Sequence, residues 1–347
     1  MAITIKDIAK KAGVSYATVS RAISNKYGVK SETREKVEAV ARQLGYTPNG
    51  IARGLVNKQT HTIGLIIPDI NNPFFPMVVR GIEEVVQKHG YSIFLCNSDY
   101  DSQRERHYLS LLAEKRVDGI ILMPGGEQQN QEAANTSGVP MVYVCREFFE
   151  AEKSFVVIDD ERGGFLATRH LIEQGYESIG FIGSTNQASA TGARFRGYQL
   201  AFEKFGIPLN KDYIIAGEFK WEVGHRIITE MITQKKVPRS IFAENDFMAL
   251  GIIQRIQETG LKIPEDIAIV GFDDILFANF PGISLTTIRQ PKYEMGKIAA
   301  KILMDQIINK CHDPKRIIIE PELVIRKSSR LTRGSESRGN TVVDLQL

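Results

Sequence analysis

The stretch TIGLIIPD, from Thr62 to Asp69, decides how most of this chain folds. Its short apolar run suits a strand that is buried on both faces of a sheet. A helical segment follows in NPFFPMVVRGIEEVVQKHG, and the next apolar run is YSIFLCNSD. Because consecutive strands joined by a helix usually run parallel, this order predicts the first unit of a parallel sheet covered by helices.

The same order recurs along the chain. The apolar runs DGIILMP and VPMVYVC continue the first set of strands, and IGFIGS at 179–184 echoes IGLIIP at 63–68. The segments SIFAENDFMALGIIQRIQETG and DIAIVGFDD then repeat the strand–helix–strand order. We therefore predict an α/β fold with two similar lobes of doubly wound parallel sheet and a cleft at the carboxyl ends of the strands.

Composition limits where such a protein works. The 347 residues are 43% hydrophobic and 24% charged, and no apolar run reaches the length of about 18 residues that spans a membrane. The start MAITIKDIAKKAG lacks the apolar core of a signal peptide. Three widely spaced cysteines form neither a disulfide framework nor a metal-ligand pattern, so we expect a cytoplasmic protein without metal or cofactor.

Positive charge is concentrated near the start of the chain. Residues 1–60 carry eleven Lys and Arg against four Asp and Glu, whereas the whole chain has a net charge of +3. A small basic module joined to a mildly acidic remainder predicts a polyanionic partner for the basic module.

The basic module is predicted to form three short helices. Thr4 can cap IKDIAKKAG, and Gly13 can supply the backbone freedom of a tight turn. Ser15 can cap a second helix that ends near Ile23, and Ser31 can open a third with a capping box in SETREKVEAVARQLGY. Two short helices joined by a glycine turn and followed by a third predict a helix-turn-helix.

The second helix, in GVSYATVSRAI, has the two faces that base recognition requires. Tyr16, Ala17 and Arg21 are expected on the outer face. Arginine can pair with guanine, the alanine methyl can meet a thymine methyl, and tyrosine can contact base edges or phosphate. Hydroxyls for phosphate contacts come from Ser15, Thr18 and Ser20. The alternative is an ordinary solvated helix face.

These motifs together resemble the lactose-repressor (LacI/GalR) family of bacterial transcription regulators. The resemblance rests on ITIKDIAKKAGVSYATVSRAISN, SETREKVEAVARQLGYTPNGIARGL and QTHTIGLIIPDINNPFF, continues to LVIRKSS and covers about residues 3–330. It implies a homodimer on a palindromic DNA operator, with a hinge helix whose Leu55 wedges into the minor groove. The other DNA contacts expected by resemblance are Thr4, Asn25, Asn49, Ala52 and Arg53. A flexible linker is the alternative for residues 49–57, because so short a helix is marginal in water.

The family core is similar to periplasmic sugar-binding proteins, so the cleft is expected to hold a small-molecule effector, most simply a sugar. Polar and aromatic side chains at predicted strand ends suit such a ligand, because hydroxyls both donate and accept and rings stack on sugar faces. They are Asp69, Asn72, Phe74, Phe75, Arg146, Arg196, Asn245, Asp273 and Gln290, with Phe219 as a second aromatic wall by resemblance. The alternative for each is an interlobe ion pair or a loop cap. Asp246 is predicted to cap the next helix, and Cys145 stands where many relatives have an aspartate.

No enzyme motif competes, because the chain lacks a GxSxG elbow, a Walker A loop and an HExxH motif. A binding protein or sugar enzyme with an unrelated basic tail stays an alternative, as does a regulator whose corepressor is a phosphorylated carrier protein.

We predict a transcriptional repressor. Its parts are a helix-turn-helix head (1–48), a hinge (49–60), a two-lobed effector-binding and dimerisation core (61–330) and a polar tail (331–347) without coiled-coil heptads.

Overall fold

The computed structural model describes residues 3–24, 27–46, 59–125, 138–147, 153–184, 190–217 and 220–330. The chain divides into two units, Met1–Thr60 and His61–Leu347. No helix in the described ranges is long and apolar enough to cross a membrane. The same ranges contain no group of three side chains placed to hold a metal ion.

The described residues of the first unit form three helices, α1 (Ile5–Ala12), α2 (Tyr16–Ile23) and α3 (Ser31–Gln43). The predicted caps of α1 and α2 are confirmed. The Asp7 carboxylate accepts from the Thr4 N–H at 2.8 Å and from its hydroxyl at 2.7 Å, and Ser15 Oγ accepts from the Thr18 N–H at 3.1 Å. Gly13 has a φ of 68°, a left-handed conformation that glycine adopts without strain, so α1 ends where the sequence predicts.

A small apolar core joins the three helices, and its buried members are Ile8, Ala12, Val19, Ala22 and Val37. The predicted capping box at Ser31 is wrong. Lys30 is the N-cap residue, α3 begins at Ser31 itself, and the Ser31 hydroxyl donates to Glu35 Oε1 at 3.1 Å. The Ser31 hydroxyl therefore bonds to a residue one turn further along α3, and the N-terminus of α3 has no side-chain cap.

In the second unit the described residues form two six-stranded sheets with helices on their faces. The strands are β1 (Thr62–Ile67), β2 (Ser92–Asn97), β3 (Gly119–Leu122), β4 (Met141–Val144), β5 (Ser154–Ile158), β6 (Ile179–Gly183), β7 (Ile214–Ala216), β8 (Ser240–Ala243), β9 (Ala268–Asp273), β10 (Thr286–Arg289), β11 (Arg316–Ile319) and β12 (Glu322–Val324). The helices are α4 (Phe74–Lys88), α5 (Ser102–Glu114), α6 (Asp160–Glu173), α7 (Ala190–Phe205), α8 (Trp221–Thr233), α9 (Asp246–Glu258) and α10 (Lys292–Ile308).

Strand order defines two lobes. The sheet of lobe one has the order β11-β5-β4-β3-β1-β2, and the sheet of lobe two has the order β12-β10-β9-β8-β6-β7. Neighbouring strands are parallel, except that β12 pairs antiparallel with β10. The predicted α/β fold with two doubly wound sheets is confirmed. The antiparallel edge strand β12 is an addition that the sequence pattern did not predict.

The chain passes between the two lobes three times. It leaves lobe one after β5, returns after β10 so that α10 packs on β3, β4 and β5, and crosses again between β11 and β12. In each lobe the central strands are buried on both faces, which explains their continuous apolar sequences. Polar residues at the first two crossings therefore lie at the carboxyl ends of strands, where the cleft was predicted.

Candidate DNA-binding face and effector cleft

Helix α2 has one buried side and one exposed side, as base recognition requires. Val19 and Ala22 are buried in the core of the first unit. Tyr16 is 57% exposed, and Ala17 and Arg21 are also exposed. The outer face of α2 therefore offers a phenol, a methyl group and a guanidinium on a helix that its inner face holds in place.

The hydroxyl groups near this face are partly used to begin the helices. Ser15 Oγ lies 2.9 Å from Thr18 Oγ1, in addition to accepting from the Thr18 N–H, and the Thr4 hydroxyl donates to Asp7. Ser20 is half-buried. These hydrogen bonds hold the hydroxyl groups at the N-termini of the helices, where phosphates are commonly bound. An oxygen that caps a helix still has a lone pair with which it can accept another hydrogen bond. Six predicted site residues lie outside the described residues: Asn25, Asn49, Ala52, Arg53, Leu55 and Phe219.

In lobe one, the predicted residues shape the turn that begins α4. Asp69 Oδ1 accepts from the Asn71 N–H at 2.9 Å, and Asn72 Oδ1 accepts from the Phe74 N–H at 3.0 Å. Phe74 and Phe75 are buried and meet edge to face with their ring centroids 5.2 Å apart. The turn thus places a polar rim beside an aromatic pair.

Tyr100, which no sequence pattern marks as a site residue, joins this rim. Its hydroxyl hydrogen-bonds to the Asn72 side chain. Burial raises the pKa of Tyr100 well above its usual value, and the charges of Asp69, Asp273 and Glu244 act in the same direction. Tyr100 follows β2, so it comes from a strand end like the predicted residues.

Arg194 of α7 is the central cation of lobe two. Its Nε donates to Asp160 Oδ1 at 2.7 Å, and its Nη1 donates to the main-chain oxygen of Glu244 at 2.6 Å. Its guanidinium lies 3.7 Å from the centroid of the Phe272 ring. Burial alone would lower the pKa of Arg194, but the charges of Asp160 and Asp273 raise it, so the side chain stays charged.

Asp273 connects Arg194 to the second crossing between the lobes. Its Oδ1 accepts from Gln290 Nε2 at 2.7 Å and lies 4.0 Å from Arg194 Nη1. Burial raises the pKa of Asp273 to about 6, although Arg194 and Lys292 oppose the shift. Asp273 and Asp274 have φ values of 121° and 52°, and Lys292 Nζ donates to both of their main-chain oxygens. This left-handed pair turns the chain out of β9 and exposes two carbonyls to one ammonium.

Two neighbouring residues begin α9, and the cap is Asn245 rather than the predicted Asp246. Asn245 is the N-cap residue, and its Oδ1 accepts from the Met248 N–H at 2.7 Å. The predicted cap at Asp246 is wrong. Its carboxylate instead accepts from the Thr287 hydroxyl at 2.6 Å and from the Ile275 N–H at 2.9 Å. Asp246 therefore ties α9 to the ends of β9 and β10.

Glu244 contributes a buried carboxyl that is only partly bonded. Its Oε2 accepts from the Ser184 N–H at 2.7 Å, whereas its Oε1 has no hydrogen-bond partner among the described residues. Burial raises the pKa of Glu244 to about 8, against the opposing effects of Ser184 and Arg194. Glu244 lies in the segment AENDFMALG, whose local pattern predicts a helix start and does not mark this residue as part of a site.

Arg196, predicted as an effector contact, does not lie among the buried groups around Arg194, and Arg146 and Cys145 lie in lobe one. Arg196 lies outside the lobe-two cluster: its Nε donates to Glu161 at 2.9 Å, and 41% of its side chain is exposed. Arg146 and Cys145 are half-buried at the end of β4. Burial raises the pKa of the Cys145 thiol well above its usual value, with Asp160 and Asp273 acting in the same direction, so the thiol is protonated and unreactive.

The structure thus brings Asp273 and Gln290 together and adds Asp160, Arg194 and Glu244 from neighbouring strand and helix ends, whereas the Asn245 side chain is used to cap α9. The sequence alone gives only a partial signal for Arg194, because an apolar residue follows both Arg194 and Arg196 four positions later. Tyr198 and Phe202 follow it at intervals of four residues and are buried, so Arg194 shares their buried face of α7. Such a cluster of fork donors, carboxylates and amides can hold a ligand with several hydroxyl groups.

Two family models match this chain, one over the first unit and one over the second. The family model described as bacterial regulatory proteins, lacI family, matches residues 4–49, and the model for periplasmic binding proteins and the sugar-binding domain of the LacI family matches residues 60–327. The transcriptional repressor PurR of Haemophilus influenzae (strain PittEE) is 39% identical over 333 residues, which cover 94% of this chain and 98% of the relative.

Solved structures show the same similarity. The lac repressor dimer bound to operator and the anti-inducer ONPF is 26% identical with a TM-score of 0.83, over 95% of this chain and 100% of that one. The CelR–cellobiose complex is 29% identical with a TM-score of 0.71, over 94% and 99% of the two chains. A LacI family regulator of Enterococcus faecium with bound ribose is 32% identical with a TM-score of 0.70, over 78% and 100%. The chain therefore belongs to the lacI family of bacterial regulatory proteins and is a DNA-binding transcriptional repressor rather than an enzyme.

Proposed function

We propose that this repressor binds a palindromic operator as a homodimer and that a small polyhydroxyl effector in the cleft of the core controls its affinity for DNA. On the DNA side, Tyr16, Ala17 and Arg21 of α2 read base edges, while hydroxyls at the helix starts contact phosphates. The exposed outer face of α2 supports these roles. The lac repressor structure with operator, a close neighbour in fold, supports the mode of binding.

Dimerisation is supported by large apolar side chains on the surface of the core. Phe94 and Leu95 are exposed on β2, an edge strand of lobe one. In lobe two Leu276 is 72% exposed, and Phe277 and Phe280 beside it are also exposed. Side chains of this size on the surface of a monomer commonly mark a protein interface. We propose a second copy of this chain as the partner, and the similarity to a repressor solved as a dimer agrees with this choice.

The observation that carries the effector proposal is the buried Arg194 network with Asp160, Asp273 and Gln290. A guanidinium, two carboxylates and an amide at the ends of adjacent strands present both donors and acceptors, which a polyhydroxyl ligand needs. The aromatic pair of Phe74 and Phe75 borders the cleft from lobe one. Neighbours solved with cellobiose or ribose support a sugar-like effector. We therefore assign to Arg194 the effector contact that was predicted for Arg196.

A selection from random DNA followed by a ligand screen tests the proposal. The selected sequence should be a near-palindrome that binds one dimer. Sugars, nucleosides and purines are then screened by thermal shift, with and without this DNA. A true effector should change operator affinity, and operator should change effector affinity by the same factor, because the two equilibria are linked.

Two outcomes would contradict it. A half-site motif bound by a monomer would refute the dimer. A protein whose operator affinity responds to a phosphorylated carrier protein but to none of the small molecules would refute the effector assignment and favour the carrier-protein alternative.

A further inference from the structure

The buried cluster in lobe two contains more acidic than basic groups. Asp160, Glu244 and Asp273 are all buried, and Arg194 is the cation that pairs with Asp160 and lies 4.0 Å from Asp273. Lys292 is also near, but its ammonium donates to main-chain oxygens. With Arg194 and Lys292 both charged, ionisation of all three carboxyl groups would leave one excess negative charge in this cluster, and burial makes such an excess unfavourable.

Of these three carboxyl groups, Glu244 is the one with a buried oxygen that no described donor reaches. The residue is 0% exposed, and among the described residues its Oε1 has no hydrogen-bond partner. Arg194 donates to the main-chain oxygen of Glu244 rather than to its carboxylate. The charged groups that act on the carboxyl are Arg194 from α7 and Asp273 from β9, and Glu244 in turn acts on the Tyr100 hydroxyl. The free oxygen therefore lies among the groups that form the effector cleft.

We propose that Glu244 makes the effector cleft selective for a polyhydroxyl compound that carries an amino group, with the ammonium donating to Glu244 Oε1. This inference rests on the proposed control of the repressor by a small molecule. An ammonium supplies the donor that Glu244 Oε1 lacks and the positive charge that balances an ionised Glu244. A neutral hydroxyl supplies only the donor. An acidic ligand, such as a sugar acid or a sugar phosphate, would add a further negative charge beside three carboxyl groups.

Protonation gives the proposal a second signature. Burial holds the pKa of Glu244 near 8, so at neutral pH the carboxyl of the ligand-free protein is largely protonated. An ammonium beside it favours the ionised form. Binding of the amino compound should therefore release a proton from the protein, whereas binding of the neutral parent should not.

The experiment uses matched pairs of probes with the full chain at about pH 7. The pairs are D-glucosamine with D-glucose, D-galactosamine with D-galactose, and 1-amino-1-deoxy-D-sorbitol with D-sorbitol. Thermal shift identifies binding, and calorimetric titration in buffers of different ionisation enthalpy measures affinity and proton release. At least one amino compound should bind tenfold or more tightly than its neutral parent and release a proton. In Glu244→Gln, which keeps the shape of the side chain, this preference should fall below about twofold.

Glu161→Gln is the control, because Glu161 is a half-exposed carboxylate of the same lobe that pairs with Arg196. It should keep the preference of the unaltered chain. Equal binding within every pair, a preference that survives in Glu244→Gln, or no binding of any amino compound would overturn the proposal. The measurements on the unaltered chain decide the matter even if Glu244→Gln does not fold. Operator titrations on the same preparation keep the two proposals apart: a response to neutral sugars without amino preference leaves the proposed function intact and refutes the role of Glu244.

Discussion

At the scale of single residues, the geometry of Arg194 matters as much as its charge. Its Nε and Nη1 donate in two directions, to the Asp160 carboxylate and to the main-chain oxygen of Glu244. A lysine would keep the charge but could not hold both acceptors with a planar fork. Arg194→Lys should therefore weaken the response of operator binding to the effector. The effector concentration that gives a half-maximal change in operator affinity should rise at least tenfold.

The matched control for this change is two residues away. Arg196→Lys should leave the response within about twofold of the unaltered chain, because Arg196 pairs with Glu161 at the surface. Equal effects of the two substitutions would mean that Arg194 supports the fold of lobe two without touching the effector.

Arg21 is the residue of α2 expected to read a specific base. It is exposed on a helix whose opposite face is buried in the head core. Arg21→Ala should weaken operator binding by about 1–3 kcal/mol and relax the preference at one base position in each half-site. A binding-site selection with the variant measures both effects.

Lys36 offers a comparison because it is an exposed basic residue on α3 rather than on α2. Lys36→Ala should change operator and random DNA affinity alike. If Arg21→Ala also weakens both DNAs equally and selects an unchanged motif, Arg21 contacts only phosphate.

At the scale of elements, a neutral histidine of α6 hydrogen-bonds to the short helical turn Lys327–Ser329 near the end of the described chain. His170 Nε2 lies 2.8 Å from Ser329 Oγ, and that hydroxyl donates to Thr286 Oγ1 at 2.7 Å. Burial lowers the pKa of His170 to about 4, and the nearby charges of Arg330 and Arg169 act in the same direction. Folding thus keeps His170 uncharged at a pH where the unfolded chain would protonate it.

This depressed pKa predicts a loss of stability in acid. Between about pH 6.5 and pH 4 the unfolded state binds a proton that the folded state does not, so the free energy of unfolding falls by up to about 1.4 kcal/mol per pH unit. Urea unfolding across this range should give a shallower pH dependence for His170→Gln than for the unaltered chain. His312→Gln, at an exposed position, should follow the unaltered chain. Identical slopes for all three proteins would refute the role of His170.

Which elements the sequence could predict follows from the range of the interactions involved. Buried strands such as β1 and the caps at Thr4 and Ser15 depend on neighbours a few residues away, so local pattern sufficed. The cap of α9 could not be predicted in this way. Asn245 and Asp246 both suit that position, and the contacts of Asp246 with Thr287 and Ile275 come from distant segments.

For a similar reason, the sequence could not decide which of Arg194 and Arg196 faces the buried cluster of lobe two. Two residues along a helix are about 200° apart, so only one of the two can face the cluster. Each has an apolar residue four positions later, Tyr198 for Arg194 and Leu200 for Arg196. Only the packing of α7 on α6 decides between these faces. Gly164 and Gly197 permit that packing, because a methyl group at either would clash with the main-chain oxygen of Arg194 or Glu161.

At the scale of the whole molecule, Lys292 is placed to connect effector binding with movement between the lobes. It is the first residue of α10, which belongs to lobe one, and it donates to the main-chain oxygens of Asp273 and Asp274 in lobe two. Asp273 also faces Arg194 and accepts from Gln290. Lys292→Met should leave the affinities for effector alone and operator alone within about threefold, but reduce the coupling between them several-fold.

Measuring each affinity with and without the other ligand gives the coupling directly. Lys297→Met is the control, since Lys297 pairs with Glu294 within α10. Unchanged coupling in Lys292→Met, or an equal loss in both variants, would contradict the role of Lys292.

The three crossings between the lobes also determine when the core can be completed during protein synthesis. Lobe one needs α10 and β11, and lobe two needs β12, although most of each lobe is encoded far earlier in the chain. A nascent chain that has reached Arg289 still lacks the helix that covers β3, β4 and β5. Neither lobe can reach its final form on the ribosome until almost the whole core has been translated. A message that ends early in the core therefore yields no finished lobe, even though the basic head at its start is already complete.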